Sequence, residues 1–162
     1  MNRKILVFIS LLFCAALLFW LLPNDEKEIR NNLHQLASLC SSAKDDSSLV
    51  TISNAGKIAK LCTIPCSIDI ESFDIKRDFI GKEISQHVLM MKRMLPDTRF
   101  VFKDIQITFP QKDNALITAT LSLHGKTKNE RFTDAYELDI RSIKRDGDWL
   151  FSSFTVVEFM ER

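Results

Sequence analysis

Asp134, Tyr136 and His87 are the residues of this 162-residue chain best suited to acid–base chemistry. In the run RFTDAYELDIRSI, Asp134 shares a phase with Phe132 and Tyr136, so an acid interrupts an otherwise apolar strand face. Desolvation disfavours a carboxylate held among apolar side chains, which is one route to a general base. The same position, near the start of its strand, also fits a carboxylate that simply reaches solvent. His87 stands one place before Val88 on a helical stripe. It either looks into an interior pocket, where an imidazole would titrate near neutrality, or sits on the helix flank bonded to water or backbone. His34 reads as a helix-surface residue and His124, before Gly125, as a turn residue. No two histidines share metal-ligand spacing with an acid or cysteine, so neither a metal nor a cofactor is expected.

The cysteines are Cys14, Cys40, Cys62 and Cys66. CTIPC is a C-x₃-C pattern rather than the C-x-x-C of dithiol oxidoreductases, so redox catalysis is not expected. In an oxidising compartment Cys62 and Cys66 could close a small loop around Pro65; otherwise all three soluble cysteines are reduced core residues. Cys40 and Cys62 end successive helices and are expected to lie far apart.

The elements that must position these groups divide at residue 22. Ile5 to Leu22 carries no charge. As a helix rising ~1.5 Å per residue it would nearly match a bilayer core of ~30 Å. It ends Phe-Trp-Leu-Leu-Pro with no small-residue cleavage pattern, so residues 1–22 read as an uncleaved anchor. Arg3 and Lys4 on one side, with Asp25, Glu26 and Glu28 on the other, place the N-terminus in the cytoplasm. The expectation is a single-pass protein of the cell membrane whose domain, residues 23–162, is extracytoplasmic, and periplasmic in a bacterium. Beyond Arg3 and Lys4 the chain has 20 basic against 21 acidic residues, so no nucleic-acid partner is expected.

Within the domain, NDEKEIRNNLHQLASLC and SLVTISNAGKIAKLC read as helices, the second with Leu49, Val50, Ile52, Ile58 and Leu61 as its apolar positions. IPCSIDIES alternates as a strand. IKRDFIGKEISQHVLMMKRML reads as a third helix striped by Ile80, Ile84, Val88, Met91 and Leu95, and stopped by Pro96. Four strands follow. In TRFVFKDIQITF the apolar phase slips between Phe102 and Ile105, which predicts a β-bulge near Lys103–Asp104. NALITATLSLHG and RFTDAYELDIRSI are the next two. Asp146-Gly147 marks a hairpin turn before the last. The fold class is α+β: a curved antiparallel sheet wrapped as a cone around about three helices.

This order resembles the nuclear transport factor 2-like superfamily, which includes ketosteroid isomerase and polyketide-cyclase-like proteins. SIDI is similar to its first strand, Gly81-Lys82-Glu83-Ile84 to the opening of its third helix, and Gly147 with Trp149 to its final hairpin. The resemblance covers about residues 25–160. It implies a pocket at the open end of the cone, where Asp134, His87 and Tyr136 would line the wall. The catalytic positions of ketosteroid isomerase cannot be matched, so its activity is not carried over. One anchor joined to this fold also resembles the inner-membrane assembly subunit of bacterial type IV secretion systems, which implies an envelope protein partner.

The functional expectation is a membrane-anchored binding or assembly module without catalytic activity. The alternative is a tethered small-ligand-binding protein or isomerase- or cyclase-like enzyme using the pocket. In DWLFSSFTVVEFM, Trp149, Phe151, Val157 and Phe159 share one phase, and Leu150, Phe154, Val156 and Met160 the other. Helices cover one face of a sheet, so a second apolar row predicts a homodimer through the outer face, by the Phe154–Val156 or the Phe151–Val157 row.

Overall fold

The computed structural model describes residues 24–43, 46–71, 74–126 and 131–160, with backbone alone at 158–160. The expected membrane span and its Cys14 lie outside these residues; no helix among the described residues is long and apolar enough to cross a membrane. The element order is α1 (Asp25–Cys40), α2 (Ser48–Lys60), β1 (Cys62–Ile70), β2 (Ile75–Phe79), α3 (Gly81–Met94), β3 (Arg99–Gln111), β4 (Asn114–Lys126), β5 (Arg131–Arg145) and β6 (Asp148–Met160).

Asn24 caps α1, its side chain accepting from the Lys27 N–H at 3.0 Å, and Asp25, Glu26 and Glu28 suit the positive end of the helix dipole. Ile29, Leu33, Leu36 and Ala37 form the stripe that α1 buries. Its last turn has no basic residue; α3 supplies one instead, as Lys92 Nζ donates to the Ser41 carbonyl at 2.6 Å. Lys92 is only 6% exposed and follows Ile84 and Val88 at four-residue steps, so the buried stripe of α3 continues through a lysine rather than through Met91. On α2 only Ala55 and Ile58 are buried. Leu49, Val50 and Ile52, expected as core positions, are 80%, 46% and 57% exposed.

The sheet order is β2-β1-β6-β5-β4-β3. Two expectations are corrected here. Residues 75–79 do not begin the third helix; they pair antiparallel with Cys66–Ile70 as a hairpin strand. The helix starts at Gly81, where the Glu83 carboxylate accepts from the Ile80 N–H at 3.1 Å and so satisfies one of the unpaired donors at its first turn. Nor is the sheet wholly antiparallel, because β6 pairs parallel with β1 on one side and antiparallel with β5 on the other. The last strand is therefore an interior one, completing the sheet between two segments already in place.

Bulges bend the sheet into its cone. The slip expected near Lys103–Asp104 is present: register shifts between Lys103 and Gln106, and Asp104 takes φ 51°. β6 carries two more, after Phe151 and after Val156. Each inserted residue resets the two-residue alternation. Phe151 faces Ser142, Phe154 faces Ile140 and Val156 faces Leu138 across the ladder. All three belong to or pack against one core with Phe102, Ile117, Ala119, Leu138, Ile140 and Trp149. The two-row reading of this strand is thus overturned: Phe151, Phe154 and Val156 point inward together, and Val157, 56% exposed, does not share their row. The argument for a homodimer through an apolar outer row loses its premise.

Candidate functional site

One end of the cone gathers the C-terminus of α1, the C-terminus of α3 and the adjoining ends of β3, β4 and β5. Ser41 joins the first three of these: its hydroxyl accepts from the Phe100 N–H at 3.0 Å, and its carbonyl takes Lys92. Ser42 N–H donates to the Thr98 carbonyl at 2.9 Å and Ser42 Oγ to the Leu95 carbonyl at 2.9 Å. Gly125 stands opposite Phe132 in the β4–β5 ladder. A Cβ there would meet the Phe132 ring at 2.3 Å, so the absent side chain is what lets the ring lie across the strand.

Asp134 and Tyr136 lie on this end, opposite Leu123 and Leu121 of β4, and both are half-buried. Burial, and then the neighbouring Asp134 carboxylate, raise the Tyr136 hydroxyl above its ordinary pKa of 10.0. These two candidates are therefore brought together on one face. His87 is not. It is exposed on the outer side of α3, its ring edge-on to Phe79 at 4.9 Å and its Nδ1 2.9 Å from the Glu83 carbonyl. Arg77 stacks on the same Phe79 ring at 5.2 Å and pairs with Glu83 at 3.0 Å. Of the two readings of His87, the helix-flank residue bonded to backbone is the one the structure takes. His124 is within β4 rather than in a turn, its Nδ1 3.2 Å from Thr133 Oγ1.

Beside the Asp134 end is a cavity of about 310 Å³ lined by polar residues, among them Ser38, Ser42, Asn54, Asp97, Thr98 and Arg99. Sequence reasoning missed it, because its walls come from α1, α2 and the loop before β3, and none of those serines or acids forms a local motif. Thr98 Oγ1 is buried without a hydrogen-bond partner among the described residues, packed towards Gly125.

The described cysteines are free thiols in the core. Interaction between the two neighbouring thiols raises Cys62, with burial adding to the rise, and lowers Cys66. Burial pushes the Cys40 thiol up to about 12. Cys40 packs against the same core that contains Cys62 and Cys66, and the latter two, four residues apart on β1, are both buried. Among the described residues no three His, Cys, Asp or Glu side chains converge on a metal position.

No family model and no curated protein sequence matches the chain. Solved structures do. A nuclear transport factor 2-like protein with a cystatin-like fold from Novosphingobium aromaticivorans superposes with TM-score 0.67 at 13% identity, over 88% of this chain and 86% of that one. A protein of unknown function with a cystatin-like fold from Nostoc punctiforme gives 0.64 at 14% identity, over 84% and 91%. A candidate scytalone dehydratase, also from N. aromaticivorans, gives 0.65 at 12% identity, over 84% of each chain. At such identities the likeness speaks for backbone architecture alone, and on it the chain has the nuclear transport factor 2-like, cystatin-like α+β fold.

Proposed function

We propose that the chain is a binding module tethered to a membrane through residues 5–22, with no turnover of its own. The tether rests on the uncharged run Ile5–Leu22, and the observation that favours binding over turnover is the filling of the cone. Trp149 and Phe151 are 0% and 1% exposed, Phe79 and Phe102 6% and 7%, and together with Ile117 and Ile140 they occupy the space between sheet and helices. The place of His87 on the exposed flank of α3, against Phe79 rather than on the Asp134–Tyr136 face, supports it further. Leu49, Val50 and Ile52 add exposed apolar surface on α2 of the kind that marks a docking face. An envelope protein is the partner class this reading implies.

The second reading, a ligand-binding protein or enzyme, is favoured by one observation: Asp134 and Tyr136 share a half-buried face at the end of the cone. Methyl NMR of the full chain in detergent under xenon pressure separates the two, because a dry apolar cavity takes up xenon and a filled core does not. The binding-module reading predicts no saturable shifts at the methyls of Ile117, Leu138 and Ile140. Saturable shifts there, removed by enlarging a neighbouring side chain, would replace it with the pocket reading.

A further inference from the structure

We infer that the end of the domain formed by the N-terminus of α1, the β3–β4 turn and the β5–β6 turn rests on the headgroup layer of a bilayer, and that the Asp134 end faces away from it. The inference rests on the tether proposed above and adds the orientation of the domain. Only Pro23 and Asn24 separate Leu22 from α1, so Asp25 lies within about 11 Å of the last residue of the apolar run. That entry point is fixed to the body of the domain. Asp25 Oδ1 accepts from Lys144 Nζ at 2.6 Å and from Trp149 Nε1 at 3.0 Å. One turn on, Glu28 Oε1 accepts from the Trp149 N–H at 3.1 Å, and Asn32 Nδ2 donates to the Trp149 carbonyl at 2.9 Å. With the first two turns of α1 bound to the start of β6, the helix cannot swing on its linker, and a domain anchored at Leu22 has one end available to the surface.

The side chains at that end suit a lipid interface. Phe109, 41% exposed, packs edge-on against Trp149 at 5.7 Å, and Leu116, 45% exposed, lies on the adjacent strand. Lys112 is close enough to Asp25 to help hold its carboxyl ionised, and Lys144 N–H donates to the Asp113 carbonyl at 2.9 Å, so the β3–β4 turn is part of the same end. The exposed charges Lys112, Asp113, Arg145, Asp146 and Asp148 nearly balance, so contact needs no anionic lipid. From here the 16 residues of α1 run ~24 Å to Ser41, which bonds to Phe100 beside the ends of β4 and β5.

A fluorescent unnatural amino acid placed at exposed Lys112 or exposed Lys126 of the full chain, in phosphatidylcholine vesicles with and without headgroup-nitroxide lipid, tests this. The expected result is loss of emission at position 112 and none at 126, unchanged by salt. Vesicle flotation is measured in parallel. If the chain floats but 126 is quenched as strongly as 112, or neither is quenched, the orientation is wrong while the tether stands. If the chain does not float, both are wrong.

Discussion

Asp25 joins the start of the domain to its last hairpin, and its chemistry sets a pH window. Hydrogen bonds from Lys144 and Trp149 hold the carboxyl below its ordinary 3.8, and donating to Asp25 raises Lys144 above 10.5. A depressed acid stabilises the fold above its unfolded-state value and loses that contribution as pH falls through the lowered folded one. The raised lysine behaves oppositely: its contribution is complete below 10.5 and is lost as pH rises through the folded value. Asp25→Asn should therefore lower Tm by about 3 °C, corresponding to ~1 kcal/mol, at neutral pH. Scanning calorimetry of both proteins should find that gap closing in acid; a gap constant to pH 2 would mean that the charge on Asp25 is not what matters. In the sequence Asp25 was legible as a first-turn acid, a local feature. Its partners are more than a hundred residues away, and no spacing rule reaches them.

At the scale of elements, the helices and the long strands were legible because their periodicities are local, and the β3 bulge was legible because the phase of its apolar residues slips visibly. The β6 bulges were hidden by composition. With Leu150, Phe151, Phe154, Val156 and Val157 crowded together, an in-phase and a shifted strand both look apolar, and only the ladder against β5 decides. The structure predicts that Phe154→Glu costs ~2–4 kcal/mol by placing a charge against Phe151 and Ile140, whereas Val157→Glu costs under ~1 kcal/mol. Urea midpoints of the two variants check this. Equal midpoints, or a larger loss at Val157, would restore the simple alternation. The third helix illustrates the opposite error: IKRDF was read as its front although the apolar stripe begins only at Ile80, and pairing with β1 makes that run a strand.

For the whole molecule, the α+β cone was legible from element order, while the parallel β1–β6 pairing was not, since it joins segments from opposite ends of the domain. Of the candidate site, the Asp134–Tyr136 pair follows from simple alternation along one strand. The displacement of His87 does not, because it depends on β2 and on which flank of α3 faces Phe79. The tether is the claim on which location, partner class and orientation all depend. It is tested most directly by extracting membranes from cells that express the full chain with alkaline carbonate, beside a chain that starts at Asn24. The account predicts that the full chain stays in the membrane pellet at its full mass and that the shorter chain is released. A full chain recovered in the supernatant, or one trimmed to a form beginning after Leu22, would contradict it.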